Sequence, residues 1–251
     1  MKQEEIWDEE AAASYDTPGA GMFADDAVEP AVDRLAELAA GGPALEFAIG
    51  TGRIGVPLAR RGVPVTGIEL SRPMVDQLRT KAGPDSVPVH LGDMATTRVP
   101  GEFTLVYLVY NTIYNLLTQD EQVECFRNAA RHLAPGGRFA LEMWVPELRL
   151  MPPGQTGTVW RSAPGYLCVH SVDPVSQVLT AHHFHFRDGS REARLFRTPL
   201  RYIWPSELDL MARLSGFELE SRHADWQGAE FTAESASHIS VYRLAAEAPA
   251  R

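Results

Sequence analysis

Cysteine and long apolar runs are both scarce in this 251-residue chain. Its two cysteines, Cys125 and Cys168, have no Cys-x-x-Cys spacing, which argues against a disulfide framework and against a thiolate metal site. The longest uninterrupted apolar run is the six residues 105–110, far short of the ~20 that a membrane-spanning helix needs. The sequence therefore predicts neither a disulfide-rich protein nor a membrane-embedded one.

Basic residues are also in deficit, with 23 Lys and Arg against 33 Asp and Glu, a formal net charge of −10. Proteins bind nucleic acid and anionic membranes largely by placing cationic side chains against phosphates. We therefore expect neither nucleic acid nor membrane as a partner. Residues 1–5 are acidic and lead into no apolar stretch, so no signal peptide is predicted and a cytoplasmic location is expected.

Apolar runs alternate with helix-like stretches from about residue 30 to residue 146. The spacing predicts strands over residues 44–49, 63–69, 87–91, 103–110 and 138–145, with helices over residues 53–61, 71–81 and 118–133. Nearly continuous apolar strands separated by helices are typical of a parallel sheet covered on both faces. The predicted fold class is therefore α/β.

This rhythm changes after Pro146. The next stretch has no convincing helix and several Pro-Gly and Asp-Gly turn signals, which predicts an antiparallel β insertion before a final helix and two strands. We predict four parts: a mostly helical N-terminal cap over residues 1–40, a Rossmann-like core over residues 41–146, the insertion over residues 147–202, and the C-terminal completion of the core over residues 203–251.

A glycine-rich turn joins the first core strand to the helix after it. Gly50, Gly52 and Gly55 satisfy the pattern G-x-G-x-x-G. By itself the pattern indicates only a tight turn that lets a ligand approach a helix N-terminus. The same glycine pattern also occurs in oxidoreductases that bind a nicotinamide dinucleotide, so this class of enzyme stays an alternative at this point.

Three further motifs follow this turn in order. Glu69 ends the second strand, 19 residues after Gly50, where a carboxylate can accept both hydroxyls of a ribose. Asp93 and Met94 follow the third strand, and a Leu-Ala-Pro-Gly-Gly turn precedes the fifth. The four motifs, in this order and at this spacing, resemble those of the class I S-adenosylmethionine (SAM)-dependent methyltransferases over roughly residues 30–146. A nicotinamide oxidoreductase does not account for Asp93 and Met94.

The resemblance implies a Rossmann-like sheet of seven mainly parallel strands with helices on both faces, SAM as the cofactor and S-adenosylhomocysteine (SAH) as its product. It also implies a set of cofactor-binding residues. These are Glu46, Gly50 and Gly52 under the methionine part, Glu69 on the ribose, Leu70 and Met94 on the adenine ring, Asp93 on the adenine amino group, and Tyr15, Arg53 and Tyr110 beside them.

The acceptor side is predicted from the ends of the fourth and fifth strands, because ligands of open parallel sheets lie beyond the carboxyl ends of the strands. Asn111, Tyr114 and Trp144 are the predicted substrate-binding residues there. The insertion resembles the one that covers the acceptor pocket in small-molecule methyltransferases of antibiotic biosynthesis, including amino-sugar N-methyltransferases. The sequence leaves open whether this insertion is a substrate lid or a homodimer contact.

Two adjacent histidines in the insertion are candidates for acid–base chemistry. On a strand, His182 shares a face with Val178 and Phe184, and this apolar face favours His182 as a general base. His183 lies on the other face and is predicted to bind substrate. Further ligands for a metal at His183 are missing from the sequence pattern, so no metal is predicted.

The sequence thus predicts a SAM-dependent methyltransferase that moves a methyl group to an O or N atom of a small, natural-product-like acceptor. One alternative is a SAM-binding protein of the same fold with a non-methylating reaction or a scaffold role. The other is the NAD(P)-dependent oxidoreductase.

Overall fold

The computed structural model describes residues 7–146, 148, 151–152, 154–186 and 192–245. Its strands are β1 (Ala44–Phe47), β2 (Val65–Glu69), β3 (Val89–Leu91), β4 (Phe103–Leu108), β5 (Leu133–Trp144), β6 (Gly157–Ala163), β7 (Tyr166–Asp173), β8 (Val178–Phe186), β9 (Ala193–Arg201), β10 (Phe217–His223) and β11 (Ser237–Leu244). Its helices are α1 (Glu9–Tyr15), α2 (Asp25–Ala39), α3 (Gly55–Arg60), α4 (Arg72–Arg79), α5 (Gln119–His132) and α6 (Pro205–Leu214), with 3₁₀ turns at Gly21–Phe23 and Thr112–Asn115.

The central sheet has seven strands in the order β3-β2-β1-β4-β5-β11-β10. Strands β1 to β5 are parallel, and β11 runs antiparallel to both β5 and β10. Helices α5 and α6 cover an apolar layer that contains Phe126, Phe139 and Leu208, and α2 and α3 cover one that contains Leu35 and Leu58. The predicted α/β, Rossmann-like fold with helices on both faces is confirmed.

Most helices and strands begin and end close to the residues that the sequence predicts, and capping side chains fix several of the helix ends. Ser71 caps α4 by accepting a hydrogen bond from the Met74 backbone N–H at 3.2 Å, and Thr118 and Glu121 form a capping box at α5. The fifth strand is the exception, since it begins at Leu133 and not at Arg138. The predicted Pro-Gly-Gly turn is a bulge inside this strand, because Gly136 has a φ of +77° and the register against β4 shifts there.

A second, four-stranded antiparallel sheet has the order β6-β7-β8-β9 and, along the chain, lies between β5 and α6. This is where the sequence predicts an antiparallel insertion. The bounds of the four predicted parts of the chain stay a prediction.

A buried polar network joins the end of this insertion to the core. Arg201, at the end of β9, is 5% exposed; its guanidinium donates to Glu207 of α6 at 2.8 Å, to Gln177 at 3.0 Å and to Gln122 of α5. The Gln122 amide in turn donates to the carbonyls of Leu116 at 2.9 Å and Arg201 at 3.0 Å. The insertion is therefore fixed to the core by hydrogen bonds that are shielded from water.

Removal of this guanidinium tests how firmly the insertion is held. We expect Arg201→Ala to lower the free energy of unfolding by about 3–5 kcal/mol, because it leaves the Glu207 carboxylate without its buried partner. Arg34→Ala, which breaks the exposed pair with Glu37, is the matched control and should cost less than about 1 kcal/mol. Urea unfolding of both variants measures the difference, and equal losses would contradict the role of the network.

Candidate active site

A first cavity lies beyond the carboxyl ends of β1, β2 and β3. It is lined by Trp7, Tyr15, Ala48, Gly50, Glu69, Leu70, Met74, Gly92, Asp93, Met94, Thr112 and Asn115. The side chains combine two carboxylates with apolar groups. Such a cavity suits a ligand that has hydroxyl or amino donors beside a flat apolar ring.

The floor of the first cavity is the glycine turn after β1. Gly50 has a φ of +58° and Gly52 a φ of +79°, a region that favours glycine. A Cβ at Gly52 would lie 2.7 Å from a Val56 methyl group, whereas a Cβ at Gly50 would meet no protein atom nearer than 3.9 Å. Gly52 is therefore required for packing, and Gly50 keeps open space for a ligand.

The Glu69 carboxylate closes this turn. Its Oε2 accepts a hydrogen bond from the Gly50 backbone N–H at 2.7 Å, and its Oε1 accepts one from Ser71 N–H at 2.8 Å. Burial raises the pKa of Glu69, and the two backbone hydrogen bonds act against that shift. Each carboxylate oxygen has a second lone pair, so Glu69 retains acceptor capacity for a ligand.

Glu46 lies beneath the turn and not at the surface of the cavity. It is 2% exposed, and its Oε2 accepts from the Tyr107 hydroxyl at 2.9 Å. Burial raises the pKa of Glu46 to about 8, against the opposing effects of Tyr107 and Arg53. A Cβ at Gly55 would lie 2.5 Å from the same carboxylate oxygen, so Glu46 and the start of α3 pack directly together.

The N-terminal segment covers the first cavity. Asp16 accepts a hydrogen bond from the Thr51 hydroxyl at 2.6 Å and pairs with Lys81, while the Ser71 hydroxyl donates to the Trp7 carbonyl at 2.6 Å. The rings of Trp7 and Tyr15 meet edge to face with centroids 5.6 Å apart. The cavity measures about 80 Å³, less than the ~300 Å³ of the smaller ligand pockets.

The loop after β4 is strained and held by β5. Tyr110 and Asn111 both have positive φ values, 56° and 59°, at a cost of about 1–3 kcal/mol each. The Tyr110 N–H donates to a Glu142 carboxylate oxygen at 2.8 Å, and the Asn111 side chain accepts from the Trp144 N–H. The Arg53 guanidinium lies over the Tyr110 ring, 5.2 Å from its centroid. These contacts offset the strain and fix the ends of β4 and β5 relative to each other.

A second cavity of about 470 Å³ lies between the central sheet and the insertion. It is lined by Tyr114, Trp144, Val145, Pro146, Leu148, Met151, Thr158, Val159, Trp160, His170, Val172, Leu179, Leu200, Tyr202, Ala236 and Ser237. Its volume falls within the ~300–1,000 Å³ of small-molecule sites. The Tyr114 hydroxyl donates to the Trp144 carbonyl at 2.7 Å, which joins two of its walls.

The Thr112–Asn115 turn contributes to both cavities. Thr112 and Asn115 line the first cavity, and Tyr114 lines the second. The two cavities are therefore neighbours along this turn.

Pairing across the insertion shows which histidine faces the second cavity. His170 lies opposite Ala181, and His182 lies opposite Val169, so the two histidines occupy opposite faces of the sheet. His170 lines the cavity, whereas His182 contacts the Ser171 hydroxyl at 2.8 Å on the far face. This placement argues against the base role predicted for His182. His183 shares the face of His170 but contacts the Tyr166 hydroxyl at 2.7 Å and does not line the cavity.

The structure gathers most of the predicted site residues. Those that line the first cavity are Tyr15, Gly50, Glu69, Leu70, Asp93 and Met94, while Glu46, Gly52, Arg53 and Tyr110 surround it. On the acceptor side, Tyr114 and Trp144 line the second cavity, and Asn111 positions its wall through Trp144. The roles of all these residues in binding stay predictions.

Sequence reasoning does not assign Trp7, Met74, Thr112 and Asn115 to the first cavity or His170 to the second. Met74 carries a usable signal, since it lies in the first turn of a helix that starts directly after the Glu69 strand end. The signal for His170 is weaker: it lies in the alternation Tyr166-x-Cys168-x-His170-x-Val172 along β7, which places these four residues on one face of the strand. Trp7 has none that is local, because only the folded chain brings it over the glycine turn.

Comparison with known proteins identifies the family. Residues 44–137 match the family described as a methyltransferase domain. The CcbJ methyltransferase from Streptomyces caelestis, of known structure, is 37% identical; the match covers 96% of this chain and 98% of that one, with a TM-score of 0.82. The chain belongs to the class I SAM-dependent methyltransferases. This methyltransferase therefore uses SAM as its methyl donor and releases SAH.

Two curated relatives extend the comparison. Cypemycin N-terminal methyltransferase from a Streptomyces species is 26% identical over 250 residues, which cover 96% of this methyltransferase and 98% of that protein. The dTDP-4-amino-2,3,4,6-tetradeoxy-D-glucose N,N-dimethyltransferase of Saccharopolyspora spinosa is 33% identical over 100 residues, or 40% of this chain and 39% of that protein.

The described part of the chain contains neither a membrane-spanning helix nor a cluster of metal-binding side chains. None of the helices there is both long enough and apolar enough to cross a membrane. Within the same residues, no group of three or more His, Cys, Asp or Glu side chains is arranged to hold a metal ion.

Two carboxylates test the first cavity as the cofactor site. We expect Glu69→Ala and Asp93→Ala each to weaken SAH binding by about 10- to 150-fold, the loss that follows when a charged acceptor of about 1.5–3 kcal/mol is removed. Glu218→Ala, at an exposed position of β10, is the control and should bind SAH like the unchanged protein.

Calorimetric titration with SAH, and separately with NAD, measures these affinities. Binding of NAD in place of SAH, or full SAH affinity in both cavity variants, would contradict the assignment of the first cavity.

Proposed function

We propose that this methyltransferase transfers the methyl group of SAM to an amine nitrogen of a small, uncharged, natural-product-like molecule. In this proposal the first cavity holds the cofactor, with Glu69 on its ribose and Asp93 on its adenine amino group. The second cavity holds the acceptor. The proposal rests above all on the Thr112–Asn115 turn, which contributes residues to both cavities and so makes them neighbours.

A nitrogen acceptor is favoured by the relatives. The dTDP-amino-sugar N,N-dimethyltransferase is named for methylation at nitrogen, and cypemycin N-terminal methyltransferase is named for methylation at a chain N-terminus, the end of a chain that bears an amine. A neutral amine already carries the lone pair that attacks carbon, so its methylation requires little help from a base. The placement of His182 away from the second cavity agrees with an amine acceptor.

When bound, SAM supplies a methyl group made electrophilic by its sulfonium. The residues of this chain then contribute alignment, which is worth as much as about 7–11 kcal/mol when two reacting groups are held in line. Trp144 and Tyr114 are suited to this, because the Tyr114 hydroxyl donates to the Trp144 carbonyl and the Trp144 N–H donates to Asn111, which fixes this wall of the second cavity. Trp7 and Tyr15 add aromatic surface to the first cavity.

The second cavity also determines the charge state in which an amine enters. None of its lining side chains within the described residues is a carboxylate, Lys or Arg. Burial lowers the pKa of His170 to about 4, with smaller effects from His183 and His182, so this imidazole is neutral near pH 7. An ammonium ion would lose its hydration there without a counter-charge, and the amine is therefore bound unprotonated.

The pH dependence of kcat/KM tests this proposal. With aniline and benzylamine as acceptors and SAH formation as the readout, we expect kcat/KM to rise with pH below the pKa of each amine and to level off above it. The two curves should therefore differ in midpoint, and neither should show a step near the ordinary histidine pKa of ~6.5. Benzyl alcohol is the matched oxygen acceptor and should react far more slowly.

Superimposable pH curves for the two amines would contradict binding of the unprotonated form. Faster transfer to benzyl alcohol than to benzylamine would contradict nitrogen as the target.

A further inference from the structure

We propose that His170 is the specificity-determining residue of the acceptor site, where its imidazole forms a hydrogen bond with a second polar group on a cyclic acceptor. The acceptor class is then an uncharged ring that carries the reacting amine at one end and a hydroxyl or second amine at the other. This inference rests on the proposed function and adds the chemical features that the acceptor must have.

The orientation of His170 is set by an aromatic neighbour. Its ring stacks on Trp160 with centroids 5.3 Å apart and an angle of 18° between the planes. Stacking covers one face of the imidazole, and both ring nitrogens lie in the ring plane, where they remain accessible to hydrogen-bond partners. Because the stacked pair lines the second cavity, a bound molecule can supply such a partner.

Two hydroxyl groups in the cavity wall already have partners in the protein. The Tyr114 hydroxyl donates to the Trp144 carbonyl at 2.7 Å, and the Ser237 hydroxyl donates to the Ala224 carbonyl at 2.9 Å. The ring nitrogens of His170, in contrast, form no hydrogen bond with any described residue. A half-buried imidazole without a partner gains most from a ligand that provides one.

The remaining lining explains why the acceptor is a ring. Trp144, Trp160, Tyr114 and Tyr202 all contribute aromatic surface to the cavity. Aromatic faces and edges pack well against other rings. Tyr114 lies on the turn shared with the first cavity, whereas His170 lies on the insertion, so the two residues belong to different walls of the second cavity.

Histidine NMR provides a direct test on the full-length protein saturated with SAH. The imidazole Cε1–H signals of His170 and His182 are assigned by their loss in His170→Asn and His182→Asn. The two probes are 4-aminophenol and aniline, which differ by one hydroxyl group and are both uncharged near pH 7. His182, on the opposite face of the same sheet, is the internal control.

We expect 4-aminophenol to shift the His170 signal in a saturable way and to bind about tenfold more tightly than aniline, the effect of one hydrogen bond. The His182 signal should stay in place. In His170→Phe, which keeps a ring beside Trp160 but has no hydrogen-bonding atom, the affinity for 4-aminophenol should fall to that for aniline, while SAH affinity is unchanged.

Equal affinity of the unchanged protein for both probes would overturn the inference, as would the absence of any shift at millimolar concentrations. Persistence of the tenfold preference in His170→Phe would overturn it as well. Binding is measured here with SAH and needs no methyl transfer. Failure of the enzyme to methylate amines would therefore contradict the proposed function separately from this result.

Discussion

One buried carboxylate holds together the two loops that line the first cavity of this methyltransferase. Glu69, at the end of β2, accepts hydrogen bonds from Gly50 at 2.7 Å and from Ser71 at 2.8 Å, so it fixes the turn after β1 and the start of α4 at once. The Ser71 hydroxyl then holds the Trp7 carbonyl, and with it the N-terminal cover. The interaction that shapes the glycine turn thus also places the residues that close over it.

The core and the first cavity are largely predictable, because the topology of a parallel sheet brings the residues of this cavity together. Parallel strands all end at the same edge of a sheet, so Gly50, Glu69 and Asp93 meet there although more than 40 residues separate the first from the last. Each residue also carries its own local signal, either a glycine that needs a positive φ or a carboxylate at a strand end. Strand order and site position therefore follow from patterns that short windows of sequence contain.

The sequence carries no such local signals for the second cavity, as His182 illustrates. Alternation along β8 correctly separates His182 from His183, but both faces of the insertion carry apolar side chains. The docking of the insertion on the core involves Arg201, which contacts Gln122 of α5, 79 residues earlier in the chain. That contact is long-range and polar, and no periodicity within the insertion reveals it. Which of His170 and His182 lines the second cavity is consequently visible only in three dimensions.

The turn that contributes to both cavities also has an evolutionary consequence. Substitutions within Thr112–Asn115 affect the two cavities together, because its residues line both. The insertion, by contrast, contributes Trp160, His170 and Leu179 to the second cavity alone. Under the proposed function, new acceptor preferences can therefore arise by substitution in the insertion without loss of methyl-donor binding, whereas the turn is constrained by two ligands at once. In such a lineage the turn is expected to change slowly and the insertion quickly.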